Sequence, residues 1–169
     1  MAYGMFPNDH MTQAEEEPMI EPPNVSAALQ LPEPGLQVVQ RVTATGFQIY
    51  QWNEEPASWA LRAPEARLFD EAGERLGLHD AGPTWRLVDG SQVKGKLLVQ
   101  DPAPDRLAIP WLLLTVVENS ERGSLARARY IHRVATTGGL APPVPAAGPP
   151  RLREARVAYT ATYYFWAPV

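Results

Sequence analysis

From residue 36 onward the chain alternates apolar and polar positions with the two-residue period of β-strands. The runs are short and separated by turn-forming residues. Residues 36–43, with Val38, Val39 and Val42, read as one strand, and Gly46 is expected to end it. Residues 47–52 follow as another, with Phe47 and Ile49 on one face and Tyr50 and Trp52 on the other. A loop from Asn53 to Pro56 leads to a short strand over 59–62, which Pro64 is expected to stop. Residues 66–70 and 75–79 flank Glu71 to Glu74, a hairpin in which Gly73 supplies the positive φ of the turn. Residues 85–88 and 91–99 flank Asp89-Gly90, the strongest short hairpin signal in the chain.

Ile109 to Val117 is the most apolar run. Its β-branched residues Thr115, Val116 and Val117 mark it as a central strand, with Pro110 at its start. Residues 124–134 alternate: Ala126, Ala128, Tyr130, His132 and Val134 take one face, and Leu125, Arg127, Arg129, Ile131 and Arg133 the other. Thr136 to Gly139 are expected to end this strand. Residues 140–150 hold five prolines and form a surface loop, and residues 154–166 alternate again. Turn signals this regular predict an all-β domain, an antiparallel sandwich or closed barrel of about ten strands.

Composition narrows this picture. The chain of 169 residues suggests one domain, and 45% hydrophobic residues suffice for a core. Eighteen prolines against 12 glycines argue against long helices. A net charge of −4 lacks the basic footprint of a nucleic-acid binder. No apolar run is long enough for a membrane-spanning helix. Residues 1–35 form an acidic, proline-rich arm, with Glu15-Glu16-Glu17-Pro18 and Glu21-Pro22-Pro23, and residues 36–169 form the β-domain. An arm that is extended by itself is a candidate for docking on a neighbouring subunit. There is no cysteine, so disulfides, thiolate chemistry and Cys-based zinc sites are excluded. The first residues lack the pattern of a signal peptide, and a cytoplasmic location is expected. A start further upstream would instead allow the cell envelope or secretion.

Candidate chemistry concentrates between His79 and Gly95. His79 precedes a Gly-Pro turn, and as a residue that titrates near neutrality it is a candidate base or polar ligand contact. Its structural alternative is a turn lock bonded to backbone carbonyls. Asp89 and Ser91 flank Gly90; they are either turn residues or the orienting acid and nucleophile of a triad with His79. No nucleophile-elbow motif supports the triad. Trp85 and Trp111 are either core or pocket walls for a flat ligand. Arg127, Arg129 and Arg133 read as a basic stripe, either paired with acids such as Glu154 or holding a carboxylate or phosphate. His79 and Asp80 are adjacent and point to opposite faces of a strand, which disfavours a metal site; none is assigned, and no cofactor is implied.

Several of these segments together resemble the domain of unknown function 3455 family of bacteria and fungi. They are Gly46 to Tyr50, Trp59 with Pro64 to Ala66, His79 to Ser91, Ile109 to Leu114, Tyr130-Ile131 with Arg133, Thr137 to Gly139 with Ala141-Pro142, and Tyr159 to Phe165. The resemblance covers roughly residues 25–166 and brings no activity with it. Asp80 stands where the family often has Tyr, and His132 where it often has Gln. Cysteines that members often carry near Trp52 and after the double glycine are missing. Many members are secreted, so losing both cysteines implies a reducing compartment or a surface reached without a cleaved signal.

The expected function is a non-catalytic domain that binds a small ligand or protein partner through the His79–Ser91 region, with Trp85, Trp111, Arg133 and Thr137 nearby. The alternatives are a hydrolase using His79 as base with Asp89 and Ser91, and a structural subunit whose arm docks on a neighbouring copy.

Overall fold

The computed structural model describes residues 19–169. The acidic run from Glu15 to Pro18 lies outside the described residues, as does the first half of the arm. Eight strands follow in order: β1 (Leu36–Asn53), β2 (Ser58–Phe69), β3 (Arg75–Asp80), β4 (Thr84–Leu87), β5 (Gln92–Asp101), β6 (Trp111–Asn119), β7 (Tyr130–Gly138) and β8 (Glu154–Pro168). Each pairs antiparallel with the next, and β1 also pairs with β8, so one sheet closes into a ring. Among the described residues only two short 3-10 turns, Ala27–Leu29 and Gly123–Leu125, depart from strand and loop.

The all-β expectation holds, as a closed barrel rather than a sandwich. Eight strands replace about ten because two expected breaks are not breaks. Gly46 lies inside β1, opposite Ala66, where a Cβ would run into Glu65 O and Ala66 Cα. Its role is close approach of two backbones, not termination. β2 likewise continues through Pro64, which pairs with Gln48 on β1. Pairing with β3 begins only at Ala66, so β2 has no β3 partner at the proline.

A third difference concerns residues 124–134, which are not one strand. The chain turns through Gly123–Leu125 and enters β7 only at Tyr130, and β7 then runs past Thr136 and Thr137 to Gly138. The turn is held by side chains from the β4–β5 hairpin: Ser124 N donates to Asp89 Oδ2 at 2.7 Å and Leu125 N to Ser91 Oγ at 3.0 Å.

The ring encloses Val42, Leu68, Trp85, Leu114, Ile131, Tyr163 and Phe165, all nearly inaccessible to water. Each such side chain stabilises the fold by about 1.5–3 kcal/mol relative to exposure. The outer face of β6 and β7 is covered too. Residues 19–35 cross it, Leu29 is fully buried, and the Leu29 carbonyl meets His132 Nε2 at 2.7 Å. Ser26 bonds to Asp101, and Glu33 to Arg129 and Tyr130. This part of the arm therefore straps its own barrel.

The strap leaves β7 buried on both faces from Ile131 to Val134. The expected basic stripe dissolves for that reason. Arg133 turns inward, Arg129 pairs with Glu33 outside, and Glu154 pairs with Arg62 instead.

Candidate functional site: a polar cavity at one end of the barrel

In an up-and-down ring, the connections β1–β2, β3–β4, β5–β6 and β7–β8 share one end, and the others share the opposite end. His79 sits near the close of β3, at the first of these ends. It pairs with Trp85 across the β3–β4 hairpin. Its Nδ1 lies 2.9 Å from Thr84 O. A carbonyl only accepts, so Nδ1 carries the proton and Nε2 presents a lone pair. The imidazole stacks on Trp85 with centroids 4.3 Å apart and leans on Tyr163 at 5.1 Å. Burial pushes the imidazole down to about 3, further lowered by the Arg133 charge and only partly offset by the Thr84 bond. His79 is neutral at any physiological pH. The turn-lock reading describes Nδ1; Nε2 has no hydrogen-bond partner among the described residues.

A cavity of about 320 Å³ opens beside this ring. Its polar lining is His79, Gln48, Arg133 and Tyr163, with Arg62 at the rim, its aromatic wall is Trp85, and Leu112 and Leu114 are among its apolar walls. Leu61 and Leu97 belong to the same lining yet are about half exposed, which places them at the mouth. Gln48 and Trp85 are both almost wholly buried, and among the described residues Gln48 Oε1 and Trp85 Nε1 have no hydrogen-bond partner; outside this cavity the same holds for Trp52 Nε1 and Trp59 Nε1. Orphaned buried polar atoms are rare and cost free energy unless something satisfies them.

Arg133 is 9% exposed. Its Nε and Nη2 both donate to Pro110 O, at 3.1 and 2.7 Å. No carboxylate lies within ion-pair distance of it among the described residues. Burial raises the Tyr163 and Tyr50 phenols, and the Arg133 charge offsets part of that rise. Burial likewise drives Tyr159 far above its ordinary value. Every phenol around the guanidinium is therefore neutral.

The other expected site residues fall elsewhere. Asp89 and Ser91 lie in the β4–β5 turn, at the opposite end of the barrel from the cavity. Asp89 accepts from the amides of Ser91 and Ser124, and Ser91 Oγ donates to Arg122 O at 3.0 Å while accepting from Leu125 N. Burial alone would raise the Asp89 carboxyl, but these donors bring it down to about 2. A triad of His79, Asp89 and Ser91 is ruled out by this separation: two of its members are loop staples. Trp111 is half-buried opposite Asp101, on the other face of β6 from the cavity-lining Leu112. Thr137 is exposed, bonds Thr160 Oγ1 at 2.6 Å, and lines a separate outer groove of about 850 Å³ with Phe47 and Arg156. Among the described residues no group of His, Asp and Glu has metal-site geometry.

Of the expected ligand contacts the cavity gathers His79, Trp85 and Arg133, and it adds Gln48, Tyr163 and Leu112. Gln48 carried a signal in the sequence: it shares the two-residue phase of Val42 and Ala44, which turn inward, yet it is polar. Tyr163 gave no signal separate from its aromatic neighbours.

Fold and cavity define a closed antiparallel β-barrel with a partly polar interior pocket. The family model for a protein of unknown function, DUF3455, matches residues 32–167, and the chain belongs to that family. No curated protein and no solved structure matches it.

Proposed function

We propose that the domain is a small-molecule-binding barrel, and that its ligand enters the cavity beside His79. One observation carries this reading: the buried Gln48 Oε1 and Trp85 Nε1 are left unpaired in residues that line one cavity. Its volume of about 320 Å³ falls in the range of ligand pockets, which bury an apolar body and fix it with a few polar groups. The His79 lone pair is an acceptor, and a ligand that shifts Gln48 or Trp85 would gain the Gln48 oxygen as acceptor and the Trp85 indole as donor. They suit a flat or branched organic molecule carrying a hydroxyl or N–H.

Catalysis is the weaker reading of the same groups. A base with a pKa near 3 is poorly matched to proton abstraction at neutral pH, and Ser91 is out of reach.

Thermal melting of wild type and His79→Ala against a panel of small aromatic and aliphatic compounds tests the proposal. At least one compound class should raise the wild-type midpoint and leave the variant unmoved. If no compound shifts the wild type, and the variant merely melts lower, His79 is a structural lock and the proposal fails.

A further inference from the structure

Arg133 is a charge without an obvious purpose in the folded protein. Six ion pairs join the described residues, every one of them between partly exposed side chains, and Arg133 belongs to none. Even Arg62, on the cavity rim, is neutralised by Glu154 at 3.2 Å. A buried cation is costly unless it is paired. Its polar partner, Pro110 O, is neutral and takes two donors at one edge of the guanidinium. That fork fixes the plane of the group, and the neutral Tyr163 hydroxyl lies against it, so no negative charge meets the guanidinium among the described residues. Tyr50, Tyr159 and Tyr163, the phenols its charge acts on, are held protonated by burial and supply no negative charge. The His79 ring adds no charge of either sign.

We propose that Arg133 is the counter-ion for an acidic ligand, and that the cavity takes a monocarboxylate with an apolar body. This rests on reading the cavity as a binding site and adds the chemical class of what binds. The planar fork of arginine matches the two oxygens of a carboxylate. One cation calls for one negative charge, and the walls Leu112, Leu114 and Trp85 call for a hydrophobic remainder. With its Nδ1 proton committed to Thr84, His79 has a lone pair rather than an N–H left at Nε2. This leaves carboxylate recognition to Arg133.

The test compares 2-naphthoate with its uncharged isostere 2-naphthamide by isothermal titration calorimetry, on wild type, Arg133→Lys and Arg133→Gln. Near-ultraviolet circular dichroism confirms that each variant is folded. Wild type should bind the carboxylate at least tenfold more tightly than the amide. Arg133→Lys keeps the charge without the fork and should retain part of that preference. Arg133→Gln should lose the preference, binding the carboxylate and the amide with similar affinity. Equal binding of both probes by wild type overturns the counter-ion role and leaves the cavity reading standing. Binding of neither probe by wild type overturns both. A preference surviving in folded Arg133→Gln places the anion elsewhere and also overturns the proposal.

Discussion

Trp166 donates its indole N–H to His132 Nδ1 at 3.0 Å, and this bond decides where the His132 proton resides. Nδ1 must be bare to accept, so Nε2 carries the hydrogen and donates to the Leu29 carbonyl. The imidazole thus ties β8 to β7 on one side and the strap to β7 on the other, and it does so as a neutral ring. A second proton would sit on the nitrogen that Trp166 already occupies.

Stability should therefore fall on acidification. Burial lowers His132, against the opposing Leu29 bond, and burial lowers His79 to about 3. Both folded values lie below the unfolded one, so the unfolded chain takes up protons first. The stabilisation is complete above about pH 6.5 and is lost as pH falls toward the folded values, by up to about 1.4 kcal/mol per pH unit for each ring. Urea denaturation from pH 8 down to pH 5 reads this slope. His132→Gln should show a shallower fall than wild type; equal slopes would mean that His132 titrates freely in the folded state.

Ser91→Ala separates the two ends of the barrel. The hydroxyl is buried, and its loss strands the Leu125 amide and the Arg122 carbonyl. A cost of about 1–3 kcal/mol is expected, as for other buried groups left unpaired. Binding of any ligand of the His79 cavity should be unchanged once the variant is folded. Weakened binding at intact fold would link the β4–β5 turn to the cavity.

Two glycines make a paired comparison. Gly46→Ala places a methyl against the backbone of β2 and should cost about 3 kcal/mol or more, the range of severe core disruption. Gly73 has open space around it and only a positive φ of 79° to protect. Gly73→Ala should cost about 1 kcal/mol. Denaturant midpoints of the two variants check the order, and a reversed order would contradict the close approach of β1 and β2.

What the sequence disclosed divides by the range of the interaction. The turns at Gly73 and Asp89-Gly90 and the strand periods depend on neighbouring residues, and they stand where alternation puts them. His79 was marked by its own Gly-Pro turn. Gly46 and Pro64 misled because their meaning is set by the facing strand: glycine permits a close approach there, and proline is tolerated beside an unpaired edge. The reading of Arg133 as part of an outer basic stripe failed for a related reason, and the partners that satisfy the buried His132 were hidden for the same one. Their faces depend on the β1–β8 closure and on a strap contributed by residues about a hundred positions away. Asp89 and Ser91 looked like partners of His79 because they are near it in sequence. The alternation of strand direction carries them to the far rim.

The closed ring also settles how another protein would have to address this one. Because β1 and β8 complete each other's ladder, the ring has no terminal strand, and stretches without a ladder partner on one side include β2 ahead of Ala66 and β5 beyond Lys94. A visiting strand would find backbone ladder groups only along such stretches, and these two carry Leu61 and Leu97 at the mouth of the cavity. Over the rest of the ring, recognition has to be written in side chains and loops, which makes it tunable by single substitutions and leaves the backbone framework untouched.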